Sequence, residues 1–363
     1  MPADEESGAG GAQNAGPRFF DSLRGVHTPA PCGGPVDSTG DGSIRCSLCP
    51  RRCLIPEGAF GSCRVRGNRN GAGIIPFYGF ITALAEDPIE KKPLYHWRPG
   101  SPVFSAGFAG CNLHCPFCQN WSISQTTGVS GRRLSPRELI SAVRSSGGLQ
   151  IAYTYSEPLV HIEYLLDCMT LARRAGIANI LVSSGCINTG AAAEILALTD
   201  AANIDLKCFS EEHYARILGG NLETVLHFIS AAHTMGVHLE LTTLIVPGLN
   251  DGETELRSAA GFIAGLSPAI PWHLSAYRPG WRWNAPPTDP AKLAAAVREA
   301  RRDLSYVYAG NVPGEKNDTP CPRCGKFLVE RRGYRIDTSG LVSGPSGYRC
   351  AHCGGPVPFI RGS

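Results

Sequence analysis

The sequence predicts an α/β fold, a partial (β/α)6 barrel, and three observations carry that expectation. Six short apolar runs stand between residues 100 and 310: 102–107 (PVFSAG), 150–155 (QIAYTY), 179–184 (NILVSS), 203–207 (NIDLK), 238–246 (HLELTTLIV) and 271–276 (PWHLSA). Between them lie longer stretches whose apolar residues recur at helical spacing, and glycines close those stretches. Strand, helix, strand at this interval gives parallel βα units. A flat doubly wound sheet is the alternative, because the pattern does not show closure. In either architecture active residues sit just past the C-terminal ends of the strands.

The helices follow from their periodicity. Residues 158–175 place Leu159, Ile162, Leu165, Leu166 and Met169 on one face, with Gly176 as the stop. Residues 221–235 repeat the pattern with Leu222, Val225, Leu226 and Ile229 before Gly236. Ser135-Pro136 opens a further helix, and 252–264 and 290–302 read as helical too. Residues 1–43 are rich in Gly, Ala, Ser and Pro and are expected to form a disordered tail. The remainder divides into a four-cysteine motif (44–74), the barrel (75–312) and a C-terminal four-cysteine module (313–363).

A chain of 363 residues with 43% hydrophobic and 18% charged residues can bury a large core. Its net charge of +3 is too small to argue for nucleic acid or an anionic membrane. No apolar run approaches the ~18 residues of a spanning helix. The N-terminus has neither the basic start nor the apolar centre of a signal peptide, so the expected location is cytoplasmic.

Fifteen cysteines without an export signal point to metal ligation rather than disulfides. They cluster at Cys46, Cys49, Cys53 and Cys63, at Cys111, Cys115 and Cys118, and at Cys321, Cys324, Cys350 and Cys353. Cys32, Cys168, Cys186 and Cys208 stand apart and are expected to be small buried side chains. The central group follows the first strand directly: Cys-x3-Cys-x2-Cys supplies three thiolates on one loop, with no fourth nearby. Ferredoxin-type runs provide four thiolates per cluster. A [4Fe–4S] cluster held by three thiolates keeps one iron open, which substrate coordination needs and electron transfer does not.

This spacing, with Phe117 before the last cysteine, resembles the signature of the radical S-adenosylmethionine (SAM) superfamily. The stretches CSLCPRRCLIPEGAFGSCRVRGN, DPIEKKPLYHWRPG, GCNLHCPFCQNWSIS, YTYSEP, DLKCF and TPCPRCG narrow the likeness. Together they resemble the radical SAM component of the AmmeMemoRadiSam system, similar to pyruvate formate-lyase activating enzymes. The resemblance implies a [4Fe–4S] cluster at Cys111, Cys115 and Cys118, SAM chelated to its open iron, and reductive cleavage to methionine and a 5′-deoxyadenosyl radical. It further implies SAM contacts from Phe117, Glu157, Ser184, Asp205, Lys207 and His273, which a barrel can converge on one mouth. Glu157 has a second reading, charge compensation where Pro158 opens a helix. Implied partners are an electron donor such as flavodoxin or ferredoxin, and a protein or peptide substrate, including AmmeMemoRadiSam partners. An iron–sulfur electron carrier and a zinc-rich interaction protein are the competing functions.

Cys321-x2-Cys324 and Cys350-x2-Cys353 are two knuckles of zinc-ribbon or rubredoxin type, with structural zinc preferred. Cys46, Cys49, Cys53 and Cys63 have a less standard spacing and are expected to meet at a metal, either zinc or an auxiliary cluster, with zinc slightly preferred. Arg51, Arg52, Arg64 and Arg66 beside them either offset the thiolate charge or form a solvated basic face. Lys91, Lys92, His96 and Arg98 belong either to a contact with an anionic ligand or to a structural loop.

Overall fold

The computed structural model describes residues 30–31, 36–126, 128–312, 314, 316–344 and 347–360. Cys32 and most of the tail expected over 1–43 lie outside them. Where that stretch is described, the expectation is corrected: Val36–Ser38 pairs antiparallel with Ile44–Cys46. A tight turn closes the pair, with Thr39 Oγ1 and Ser43 N–H both donating to Asp41 Oδ1 (2.6 and 2.9 Å). Ile44 then enters the core.

The parallel strands are β1 (Pro102–Phe108), β2 (Gln150–Thr154), β3 (Ala178–Ser183), β4 (Ala201–Asp205), β5 (His238–Ile245), β6 (Trp272–Ala276) and β7 (Val307–Gly310). They pair in chain order, each with the next. The seventh was not among the six expected, because Val307–Gly310 is only four residues long. Beyond β1 the sheet continues into an antiparallel strand, Phe80–Pro88, and then Arg132–Arg133. Among the described residues the two edge strands do not pair with each other, so the barrel is partial.

The helices α1 (Pro136–Ser145), α2 (Ile162–Arg174), α3 (Thr189–Leu196), α4 (Leu222–Thr234), α5 (Glu253–Leu266) and α6 (Pro290–Ala300) connect the strands. Their starts are local chemistry. At α1, Ser135 and Glu138 form a reciprocal capping box with Pro136 in the first turn. Asn221 caps α4 through Thr224 N–H at 2.9 Å. Gly176 and Gly236 end α2 and α4 at φ +71° and +76°, where a side chain would be strained. All five residues of β2 are buried, as expected of a parallel strand covered on both faces. Among the described residues, no helix is long and apolar enough to cross a membrane.

The N-terminal ends of the parallel strands are closed by the loop 93–98. Asn203 on β4 donates to Pro93 O (2.8 Å), and Trp97 Nε1 donates to Gln150 at the start of β2 (2.9 Å). The C-terminal stretch docks on the same loop. Arg331 donates to Tyr95 O (2.8 Å), Phe359 stacks on His96 with ring centroids 4.1 Å apart, and Ile360 bridges Trp97. His96 and Lys92 are buried, and Lys92 is bonded to Asp87 (2.8 Å) and Tyr155 (2.9 Å), so these two residues are structural parts of the loop.

Glu240 on β5 organises the closure. Its two oxygens accept the N–H groups of Tyr95 (2.9 Å) and His96 (2.7 Å), with His273 (2.8 Å) and His238 (3.0 Å) completing the set. Burial pushes this carboxyl up, yet the bonds from His238 and His273 outweigh that and hold it well below the usual range. A group whose folded value is depressed stabilises the fold above its unfolded pKa of about 4.3, and that stability is lost as pH falls below it. Each oxygen faces one backbone N–H, so an amide in either orientation sets NH2 against a donor. Glu240→Gln is therefore expected to lower stability by about 3–5 kcal/mol at neutral pH. Thermal unfolding as a function of pH checks this: the variant's Tm should also fall less steeply than the parent's as the pH drops from about 5 to 3.

Candidate active site

The three thiols of the central motif lie on the loop that leaves the C-terminal end of β1. Cys115 is buried, while Cys111 and Cys118 are partly exposed, and all three are free thiols. Leu113 N–H points at Cys111 Sγ (3.4 Å), and Ser124 Oγ lies 3.3 Å from Cys118 Sγ. Burial raises Cys111 well above the ordinary thiol value and Cys115 to about 12, the latter despite the nearby Lys207. Such thiols stay protonated until a metal displaces the proton. Phe117 is buried in the main core.

Bonds from several elements fix this loop. His114 N–H donates to Leu218 O (2.7 Å), Arg282 N–H to Pro116 O (2.9 Å), and Asn112 Nδ2 to Cys186 O just past β3 (2.6 Å). Gln125 Nε2 donates to Leu113 O (2.9 Å), and the Ser156 hydroxyl donates to Gly110 O. Gly110 sits at φ +79°, and a Cβ there would lie 2.5 Å from Cys63 O. Only glycine satisfies both conditions.

Two of the expected acid and cation positions face these thiols. Asp205, the last residue of β4, pairs with Lys207 at 2.8 Å, and both remain partly exposed. Burial pulls Lys207 down, but Asp205, Cys115 and Cys118 together hold its pKa above the ordinary lysine value. Glu157, past β2, carries a charge that Cys111 senses. Its side chain is buried and bonded to the end of β3. Oε1 accepts from Ser183 Oγ (2.7 Å) and Leu159 N–H (3.1 Å); Oε2 accepts from Ser184 Oγ (2.7 Å) and Ser184 N–H (2.9 Å). Four bonds are the full complement of a carboxylate. Glu157 therefore caps the short helix Pro158–His161, the second of its two expected roles, and also ties β2 to β3.

His273 requires a correction. The structure does not bring it together with Glu157 and Lys207; it bonds Glu240 at the closed end and packs edge-on to Tyr95. The shared strand set suggested convergence, but His273 is the second residue of β6, close to that strand's N-terminus. Arg66 also departs from one of its two expected readings. It is buried and bidentate to Glu163 on α2 (2.8 and 2.6 Å), so it is not part of a solvated face, while Cys63 still feels its charge.

Cys208 is buried as expected, and His213 and Glu255 lie beside it, with one ligand atom from each within 4.8 Å of the others. No spacing in the sequence signals this, because Glu255 arrives from α5. The C-terminal cysteines meet as their spacing predicts. Cys321 and Cys353 sulfurs lie 3.8 Å apart, and Cys324 and Cys350 sulfurs 3.7 Å apart. The two knuckles match: Gly325 N–H returns to Cys321 O and Gly354 N–H to Cys350 O, each at 2.9 Å or less. A four-thiolate group of this size can hold one metal ion.

Comparison with known proteins places the chain. Residues 107–258 match the family model of the radical SAM superfamily. An uncharacterized protein of Methanocaldococcus jannaschii is 36% identical over 327 residues, 88% of this chain and 96% of that one. The pyruvate formate-lyase-activating enzyme of Clostridium pasteurianum is 29% identical over 44% of this chain and 68% of its own. Among solved structures, a domain of a pyruvate-formate lyase-activating enzyme from Bacteroides vulgatus superposes with a TM-score of 0.39 at 19% identity, covering 44% of this chain and 98% of that one. SuiB of Streptococcus suis superposes at 0.47 and 12% identity, over 58% of this chain and 49% of SuiB. With the family model laid over β1 to α5 and the methanogen relative matched nearly end to end, the chain belongs to the radical SAM superfamily, an enzyme family whose members use an iron–sulfur cluster and SAM.

Proposed function

We propose that this protein cleaves SAM reductively and directs the resulting radical at hydrogen on a protein or peptide substrate. The observation that carries the reading is the β1 loop: three free thiols on one loop with no fourth cysteine on it, in the field of Asp205, Lys207 and Glu157. The donor set fits a [4Fe–4S] cluster at Cys111, Cys115 and Cys118, since soft thiolates with N–H groups aimed at sulfur suit such a centre. When bound, that cluster with SAM supplies one electron to the sulfonium, giving methionine and a 5′-deoxyadenosyl radical.

The chain's own residues bind and orient. Lys207 offers an ammonium to the SAM carboxylate and offsets the charge of Cys115 and Cys118. Asp205 fixes that ammonium from the other side. Glu157 acts on the SAM amine through the Ser184 it holds, because its own lone pairs are filled. A protein substrate accords with the printed name of the Clostridium pasteurianum relative, an enzyme that activates pyruvate formate-lyase. The four C-terminal thiols are assigned to structural zinc: a tetrahedron with Zn–S of about 2.3 Å has edges of about 3.8 Å, and the observed separations are 3.8 and 3.7 Å. They belong to the stretch that docks on the closed end of the barrel, away from the β1 loop.

Two outcomes are expected. Anaerobic protein given dithionite and SAM should form 5′-deoxyadenosine and methionine in equal amounts, measured chromatographically, and replacing Cys111, Cys115 and Cys118 together by Ala should abolish both. Glu157→Ala should keep its iron yet bind SAM at least about tenfold more weakly in equilibrium titration, because Ser184 loses its charged partner. Parental affinity in that variant would reduce Glu157 to a helix cap.

A further inference from the structure

The chain carries three groups of clustered cysteines, and their geometries differ. Among the described residues, groups of three or more ligand atoms contracted to within 4.8 Å include the C-terminal four cysteines. They include neither Cys111, Cys115 and Cys118 nor Cys46, Cys49, Cys53 and Cys63. A single zinc needs the contracted form, with edges of about 3.8 Å. A cluster carries its thiolates on the outside of an iron–sulfide cage and needs the wider one.

The N-terminal four are nevertheless one group. Cys46 N–H donates to Cys53 O (2.9 Å), and Arg52 N–H returns to Cys49 O (3.2 Å). A Cβ on Gly61 would lie 3.6 Å from Cys53 Cβ, which brings the turn before Cys63 onto Cys53. The Cys49 thiol lies in the field of Cys53 and Cys63, and Cys63 in that of Cys46. All four are free thiols.

Backbone N–H groups are aimed at these sulfurs. Ser62 N–H meets Cys53 Sγ at 3.5 Å, Arg51 N–H bonds Cys49, and Val65 and Arg66 N–H both bond Cys63. Arg52 and Arg64, each adjacent to a cysteine, hold left-handed φ values of 44° and 63°. Non-glycine residues rarely adopt that conformation, and alternating right- and left-handed backbone gathers N–H groups into the concave nests that bind iron–sulfur centres.

The group also abuts the β1 loop. Cys63 O approaches Gly110, Ser62 Oγ bonds His114 Nε2 (2.7 Å), and Arg51 donates to Asn112 O (3.1 Å). Arg64 lies in the field of both Cys63 and Cys111 and donates to Gln125 (3.1 Å).

We infer that Cys46, Cys49, Cys53 and Cys63 bind a second iron–sulfur cluster, seated directly against the loop that carries Cys111, Cys115 and Cys118. Four thiolates and their N–H donors saturate this centre, so it carries no SAM. Its position, with Arg64 shared between the two thiol groups, makes it the neighbour through which the charge on the first centre is felt.

The test separates this assignment from the SAM reading. Full-length protein with Cys111, Cys115 and Cys118 all replaced by Ala is purified anaerobically, and iron, acid-labile sulfide and zinc are measured per chain. Retained iron and sulfide in roughly equal amounts, at least about two of each, with visible absorption bleached by dithionite, is the expected result. Adding Cys49→Ser and Cys53→Ser should remove that iron. Two zinc ions per chain and no iron would overturn the assignment, and so would a single zinc with no other metal. Should the added substitutions prevent folding, the iron, sulfide and zinc content of the triple variant alone decides. Loss of SAM cleavage in the parent protein would leave this result untouched.

Discussion

Three thiols on one short loop cannot hold one another in place, and the rest of the molecule is built around that constraint. A four-thiolate site closes on itself through its metal, as the C-terminal knuckles can. The β1 loop has no fourth ligand, so its geometry comes from outside: Leu218 O, Arg282 N–H and Cys186 O each take one point on it, and Cys63 O fills the space that a Cβ on Gly110 would need. The barrel delivers these partners from the segments after β3, β4 and β6. A parallel sheet with its strand ends at one mouth is the architecture that permits this.

The two ends of the barrel do different work. At the C-terminal end the charges are left partly open: Asp205 and Lys207 pair yet keep access to solvent. At the N-terminal end the central carboxylate is fully engaged. Glu240 spends all its acceptor capacity on Tyr95, His96, His238 and His273, burial depresses His96 to about 3, and Arg331 lies over the Tyr95 ring. A histidine and a carboxylate on barrel strands are thus a structural lock here, although the same residue types at the other end would be read as chemistry. Depth along the strand decides between them.

Much of this was legible in the sequence because it is local. The six parallel strands, the helix stops at Gly176 and Gly236 and the two C-terminal knuckles follow from periodicity and from spacings of two to four residues. Long-range pairings were not legible. The antiparallel Phe80–Pro88 strand, the Arg66–Glu163 ion pair and the Glu240–His273 bond each join segments far apart in the chain, and no period marks them. Glu157 shows the limit most clearly: its position past β2 was readable, but that Ser183 and Ser184 fill its lone pairs depends on the register between β2 and β3. The approach of His213 and Glu255 to the buried Cys208 was unreadable for the same reason, since Glu255 comes from α5.

The central claim is that the β1 loop leaves one iron free for SAM, and the coordination itself can be measured. Pulsed electron–nuclear double resonance on the dithionite-reduced protein, with SAM labelled with 15N in its amine or 17O in its carboxylate, reads whether those atoms bind the cluster. The account predicts hyperfine coupling to both labels, and loss of both when Cys111, Cys115 and Cys118 are replaced by Ala. A reduced-cluster spectrum unchanged by SAM, with no coupling to either label, would contradict it.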